Sequence, residues 1–108
     1  MLILFDQGTP VAIRNSLPGH VVKNAYDQGW STLLNGELLR IAEQAGFDVL
    51  LTTDKNLAHQ QNLAGRRIAI VALGRNRWSL IRPALETIAK AVEAATPGSY
   101  TLVEIPGK

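Results

Sequence analysis

GFDVLLTTDKN, residues 46–56, is the stretch on which the reading of this chain turns. Phe47 to Leu51 reads as a short strand that runs on through Thr52 and Thr53 and stops on a carboxylate, Asp54. Continuous apolar runs of this length suit strands buried on both faces, as in parallel sheets. Two other runs have the same form: LILF (2–5), halted by Asp6, and RIAIVAL (67–73), halted by Gly74. HVVKNA (20–25) is a weaker strand, and SYTLVEI (99–105) is a last one.

Helical patterns fill the spaces between these runs. Thr9 followed by Pro10 predicts the N-cap and first position of a short helix through Leu17. Leu34, Leu38, Ile41, Ala42 and Ala45 recur at helical spacing around Asn35, a candidate N-cap, and Gly46 sits where a glycine ends a helix. Residues 56–64 predict a short helix. Residues 81–95 predict a longer one, with Ile81, Leu85, Ile88 and Val92 on one face and Pro83 in its first turn. Strands alternating with helices argue for a single α/β domain over 1–108, a three-layer α/β/α sandwich with a mainly parallel central sheet. Right-handed crossovers then bring the carboxyl ends of the strands to one edge, where ligand sites of α/β folds form.

Composition bounds the chemistry. In 108 residues, 46% are apolar and 19% charged, which is globular, and there is no cysteine, so neither a disulfide framework nor a thiolate metal site is expected. MLILFDQG has no basic leader and meets an aspartate early, unlike a signal peptide. No apolar run approaches the roughly 18–20 residues of a membrane span. The expectation is a soluble cytoplasmic domain with no membrane partner. Five of the eleven basic residues are Arg66, Arg67, Arg75, Arg77 and Arg82. Arg75 and Arg77 follow an apolar strand, so they are candidates for contact with a nucleic-acid backbone; a plain solvated face is the alternative.

At the predicted edge, two apolar strands deliver Asp6 and Asp54, and Glu37 lies in the first turn of the helix before the third strand. Three carboxylates converging without a cation raise one another's pKa, and a divalent ion is the usual resolution. Hard oxygen ligands select Mg²⁺ or Mn²⁺, which suit phosphodiester hydrolysis. Singly, each acid is also what a turn or a helix N-terminus calls for. Asp48 begins its strand about 20 Å from Asp54 and is expected to be structural. His20, His59 and Trp30 carry no catalytic pattern, and Trp30 is expected to be a packed loop anchor.

LILFDQGTP, GWSTLLNGELLRIAEQAGFDVLLTTDKNL and GRRIAIVAL together resemble the PIN-domain superfamily, in its small PIN-like branch related to the VapC-type ribonuclease toxins. That branch carries a strand plus Asp-Glu-x-x-Pro, then Gly-x-Ser-Asp-x-x-Ile-Leu, then Thr-x-Asp-x-Asp-Phe. The resemblance implies a Mg²⁺- or Mn²⁺-dependent endoribonuclease with RNA as substrate, an antitoxin protein as partner and a homodimer as assembly. Asp6 and Asp54 match metal-binding acids, Glu37 is nearest to the helix acid, and Thr53 supports Asp54. The departures are Gln7, Asn35 and Asn56 where acids are usual, with Asn35 and Asn56 left to position water or substrate. An amide offers an oxygen but neutralises nothing and is no general base. The alternative is a catalytically weak or inactive PIN-like module that binds RNA or protein. A phosphoacceptor signalling domain also ends a central strand in aspartate, but it needs paired acids after strand one and a late lysine, and this chain has Gln7 and Gly74-Arg75-Asn76.

Overall fold

The computed structural model describes residues 1–55 and 63–107. Among these, five strands form one sheet: β1 (Leu2–Phe5), β2 (Val21–Asn24), β3 (Val49–Thr52), β4 (Ala69–Leu73) and β5 (Tyr100–Val103). All pairs are parallel, in the order β2-β1-β3-β4-β5. The chain steps from β1 outward to β2, then crosses back to the other side of β1 to make β3. The seam between β1 and β3 is therefore the topological switch point, and this order is the one found in flavodoxin-like sheets. LILF, the first strand read from the sequence, forms β1 over the same four residues.

Side-chain alternation divides the core into two faces. Ile3, Phe5, Val49, Leu51, Val71 and Leu73 point to one side, where they meet Ile13 and Leu17 and the later helices through Ile81, Ile88 and Val92. Leu4, Leu50 and Ile70 point to the other, against Leu38, Leu39 and Ala42 of α1 (Asn35–Gln44). Buried side chains such as Ile88 and Leu39 contribute about 1.5–3 kcal/mol each. Helix α1 stops as its sequence predicts. Gly46, at φ +90°, follows the last turn, its N–H bonds the Glu43 carbonyl at 3.1 Å, and the Phe47 N–H reaches that of Ala42 at 3.0 Å.

Helix starts differ more from expectation. Helix α1 begins at Asn35 itself, with Leu34 in the cap position. The segment after β1 is a 3₁₀ helix, Val11–Ser16, with Pro10 before it, so Thr9 is not its cap. The predicted helix over 81–95 is broken into α2 (Trp78–Ile81), a 3₁₀ turn (Arg82–Ala84) and α3 (Leu85–Glu93). Pro83 stands in the 3₁₀ turn, where its missing N–H and ring clash are absorbed by the break. The short helix predicted for 56–64 falls largely outside the described residues, as does His59. Among the described residues no helix is long and apolar enough to cross a membrane.

At the amino end of the sheet, the Asp48 carboxylate accepts the Leu2 N–H at 2.8 Å, tying β1 to β3, which matches its structural reading. Glu43 does similar work between α1 and β4. It accepts the N–H groups of Arg67 (2.5 Å) and Ile68 (3.3 Å) and pairs with Arg66 at 3.2 Å. The Arg67 N–H chiefly, then that of Ile68 and the Arg66 charge, hold its pKa below the ordinary 4.5, against the opposing pull of burial.

Candidate functional site

Asp6 follows β1 directly, and its N–H donates to the Leu51 carbonyl at 3.2 Å, fixing it on the β1/β3 seam. The next turn folds back, with the Thr9 N–H on the Asp6 carbonyl at 3.1 Å. That turn brings the Thr9 hydroxyl to 2.5 Å from Asp6 Oδ1, and to 3.0 Å from the Leu51 carbonyl oxygen. A hydroxyl has one proton, and the shorter contact, to a charged acceptor, is where it goes. From the neighbouring strand the Thr52 hydroxyl donates to Asp6 Oδ2. Thr9 is 4% and Thr52 1% exposed, and among the described residues these are the buried polar ones. A buried hydroxyl is costly unless bonded, and here the carboxylate satisfies both.

Thr52 also links the two rim aspartates, because its Oγ1 accepts the Asp54 N–H at 3.0 Å. Thr53, read from the sequence as the support of Asp54, lies beside the Asp6 turn: a Cβ on Gly8 would lie 3.2 Å from its Oγ1. The threonines that orient Asp6 are Thr9 and Thr52, which the sequence reading did not single out for this role. The available signal was the spacing Asp6-x-x-Thr9, which allows a turn to return a hydroxyl to the carboxylate.

Asp6 opens onto a cavity of about 190 Å³ that also touches Gln7, Gly8, Trp30 and Ser31. Trp30 packs edge-on against Phe47, with ring centroids 5.9 Å apart, so it is the packed anchor that was expected, with one side on the cavity. Glu37 is in the first turn of α1 and exposed, and Asp54 is half-buried; neither lines this cavity. Among the described residues, which include all three acids, no group of three or more His, Cys, Asp or Glu is gathered to hold a metal ion. The structure thus ties Asp6 to the Asp54 backbone and does not bring Glu37 into the same cluster. Asn35 opens α1, and Asn56 lies outside the described residues. Arg75 and Arg77 follow β4 on the carboxyl edge, as predicted, and both are exposed.

A carboxylate has about four lone-pair sites, and two hydroxyls occupy two of them. Asp6 therefore retains capacity for one hard cation, whose remaining positions are filled by water or phosphate oxygens. Among the described residues Asp6 is joined there by no donor set of three or more His, Cys, Asp or Glu, which excludes a two-metal centre built from them. For the phosphoacceptor alternative the strand order fits, but the paired acid and the late lysine are not in the sequence. Comparison with family models, curated proteins and solved structures found no match to this chain.

Proposed function

We propose that this chain is a PIN-like domain, a three-layer α/β/α sandwich, that acts on RNA as a Mg²⁺- or Mn²⁺-dependent endoribonuclease. The observation that carries the reading is the placement of Asp6: it stands at the β1/β3 switch point, oriented by two buried threonine hydroxyls and opening on a cavity. Buried hydroxyls spent on a half-exposed carboxylate favour a site over a turn. In this reading Asp6 and Asp54 hold a single ion, which would activate water and stabilise charge on phosphoryl oxygens. Glu37, at the start of α1, orients the attacking water, and Arg75 and Arg77 attract the RNA backbone. A cytoplasmic location, an antitoxin partner and a homodimer belong to the same proposal, as the toxin half of a toxin–antitoxin pair.

The second reading is a module that binds RNA or protein without cutting. It is favoured by two observations, the first that among the described residues Glu37 does not join Asp6 and Asp54 in a three-acid cluster. Gln7, on the cavity in place of an acid, points the same way.

Mn²⁺ calorimetry on the wild type, Asp6→Asn and Asp54→Asn, with RNA cleavage assayed on the same samples, separates the two. Binding and cleavage both lost in the variants support the nuclease. Metal binding lost in the variants, with no cleavage by any protein, supports the binding module. Absence of Mn²⁺ binding by the wild type removes the metal site from both readings.

A further inference from the structure

A second concavity lies farther along the carboxyl edge. It has a volume of about 230 Å³ and is lined by Lys55, Gly74, Arg75, Leu102, Glu104 and Ile105, so it spans the exits of β3, β4 and β5. Gly74 closes its floor, since its N–H bonds the Val103 carbonyl at 2.9 Å and leaves room for a Cβ only at 3.3 Å from that oxygen. Lys55 immediately follows Asp54, which places the groove next to the switch point.

Among the described residues no carboxylate forms an ion pair with Lys55 or Arg75, although Glu104 shares the wall. Arg75 is also held in position. Its Nε donates to the Ile105 carbonyl at 3.4 Å, and its guanidinium lies against Gly107 so closely that a Cβ there would overlap Nη2 and Cζ. A guanidinium seated on a glycine backbone has lost part of its rotamer freedom before any ligand arrives. Such pre-organisation, with a flexible point-charge lysine opposite, suits the oxygens of a phosphodiester.

We propose that this groove is a phosphate subsite for single-stranded RNA, with Lys55 and Arg75 as its cations and Gly107 as the residue that seats Arg75. The proposal rests on the RNA reading above and adds to it the path of the chain, away from Asp6 across β4 to β5. Leu102 and Ile105 give the groove an apolar wall, and its one carboxylate leaves the set net positive.

The test is titration of a labelled oligouridylate at several salt concentrations into wild type, Lys55→Ala and Gly107→Ala, with thermal melting as a check on folding. Lys55→Ala removes one phosphate contact and is expected to lower the slope of log affinity against log salt by about 0.7. Gly107→Ala changes no charge but displaces the Arg75 guanidinium from its seat, and is expected to weaken binding several-fold. Should the folded variants bind as tightly as wild type with the same slope, the subsite is overturned while the RNA reading stands. Should wild type not bind the oligouridylate at all, the RNA reading falls and the subsite falls with it.

Discussion

The Thr52 hydroxyl donates to Asp6 across the β1–β3 seam while it accepts the backbone N–H of Asp54. One side chain thus fixes the direction of the first rim acid and the chain path at the second. Valine has the same shape as threonine but neither donates nor accepts. Thr52→Val is expected to destabilise the fold by about 1–3 kcal/mol, because it leaves an acceptor and a donor without partners. Thr52→Ser, which keeps the hydroxyl, is expected to cost less. Urea unfolding of both variants measures the difference, and a larger loss in Thr52→Ser than in Thr52→Val would show that the methyl group, not the hydroxyl, matters.

Ligand linkage gives an independent view of the ion. If Asp6 contributes to a site present only in the folded state, Mn²⁺ at a hundredfold excess over its Kd raises stability by about 2.7 kcal/mol. Thermal melting of wild type is expected to rise with added Mn²⁺ and to return on chelation. Asp6→Asn is expected to show no rise. An identical rise in both proteins would place the ion elsewhere.

Acid should find the α1–β4 junction. The Glu43 pKa is lowered in the folded state by the N–H groups of Arg67 and Ile68 and by Arg66. Its contribution is therefore complete above the unfolded value and is lost as pH falls through the lower, folded one. Glu43→Gln is expected to lose stability at neutral pH and to flatten the dependence below about pH 4.5. Denaturant melts across that range, on wild type and variant, provide the check; parallel curves would exclude Glu43 as the source.

Gly46 closes α1 at φ +90°. Any side chain there is strained, although the space around it is open. Gly46→Ala is expected to cost about 1 kcal/mol and to lower the melting temperature by several degrees. A melting temperature at or above that of wild type would mean that the helix end rearranges without strain.

What could be read from the sequence, and what could not, follows from the range of the forces involved. LILF, VLLT and AIVAL are nearly or wholly buried, so an unbroken apolar run identified β1, β3 and β4 to within a residue or two. Gly46 was equally legible, because a left-handed position selects glycine locally. Thr9 was misread because two acceptable uses of its hydroxyl compete, capping a helix or bonding Asp6, and only the tertiary fold decides between them. The helix over 81–95 broke at Pro83 for a reason visible in the sequence, but the position of Ile81 against the core required the residues before the proline to stay helical as well. The strand order was the least legible part. Whether Glu37 meets Asp6 and Asp54 depends on how α1 lies over the sheet, and no local pattern carries that distance.

The order of the strands also has a kinetic consequence. No two neighbours in this sheet are joined by a hairpin, and the β1–β3 seam joins residues farther apart in the chain than any other pairing: Ile3 meets Val49, whereas β1 meets β2 as Leu2 to Val21 and β4 meets β5 as Ile70 to Tyr100. Closing the longest loop is the most demanding entropic step, and sheets built from such contacts assemble slowly. The Asp6–Thr52 contact spans 46 residues and exists only once that seam has closed. A partly unfolded chain therefore carries Asp6, Thr9 and Thr52 but no oriented carboxylate, and the direction of Asp6 is set only when the β1–β3 seam closes.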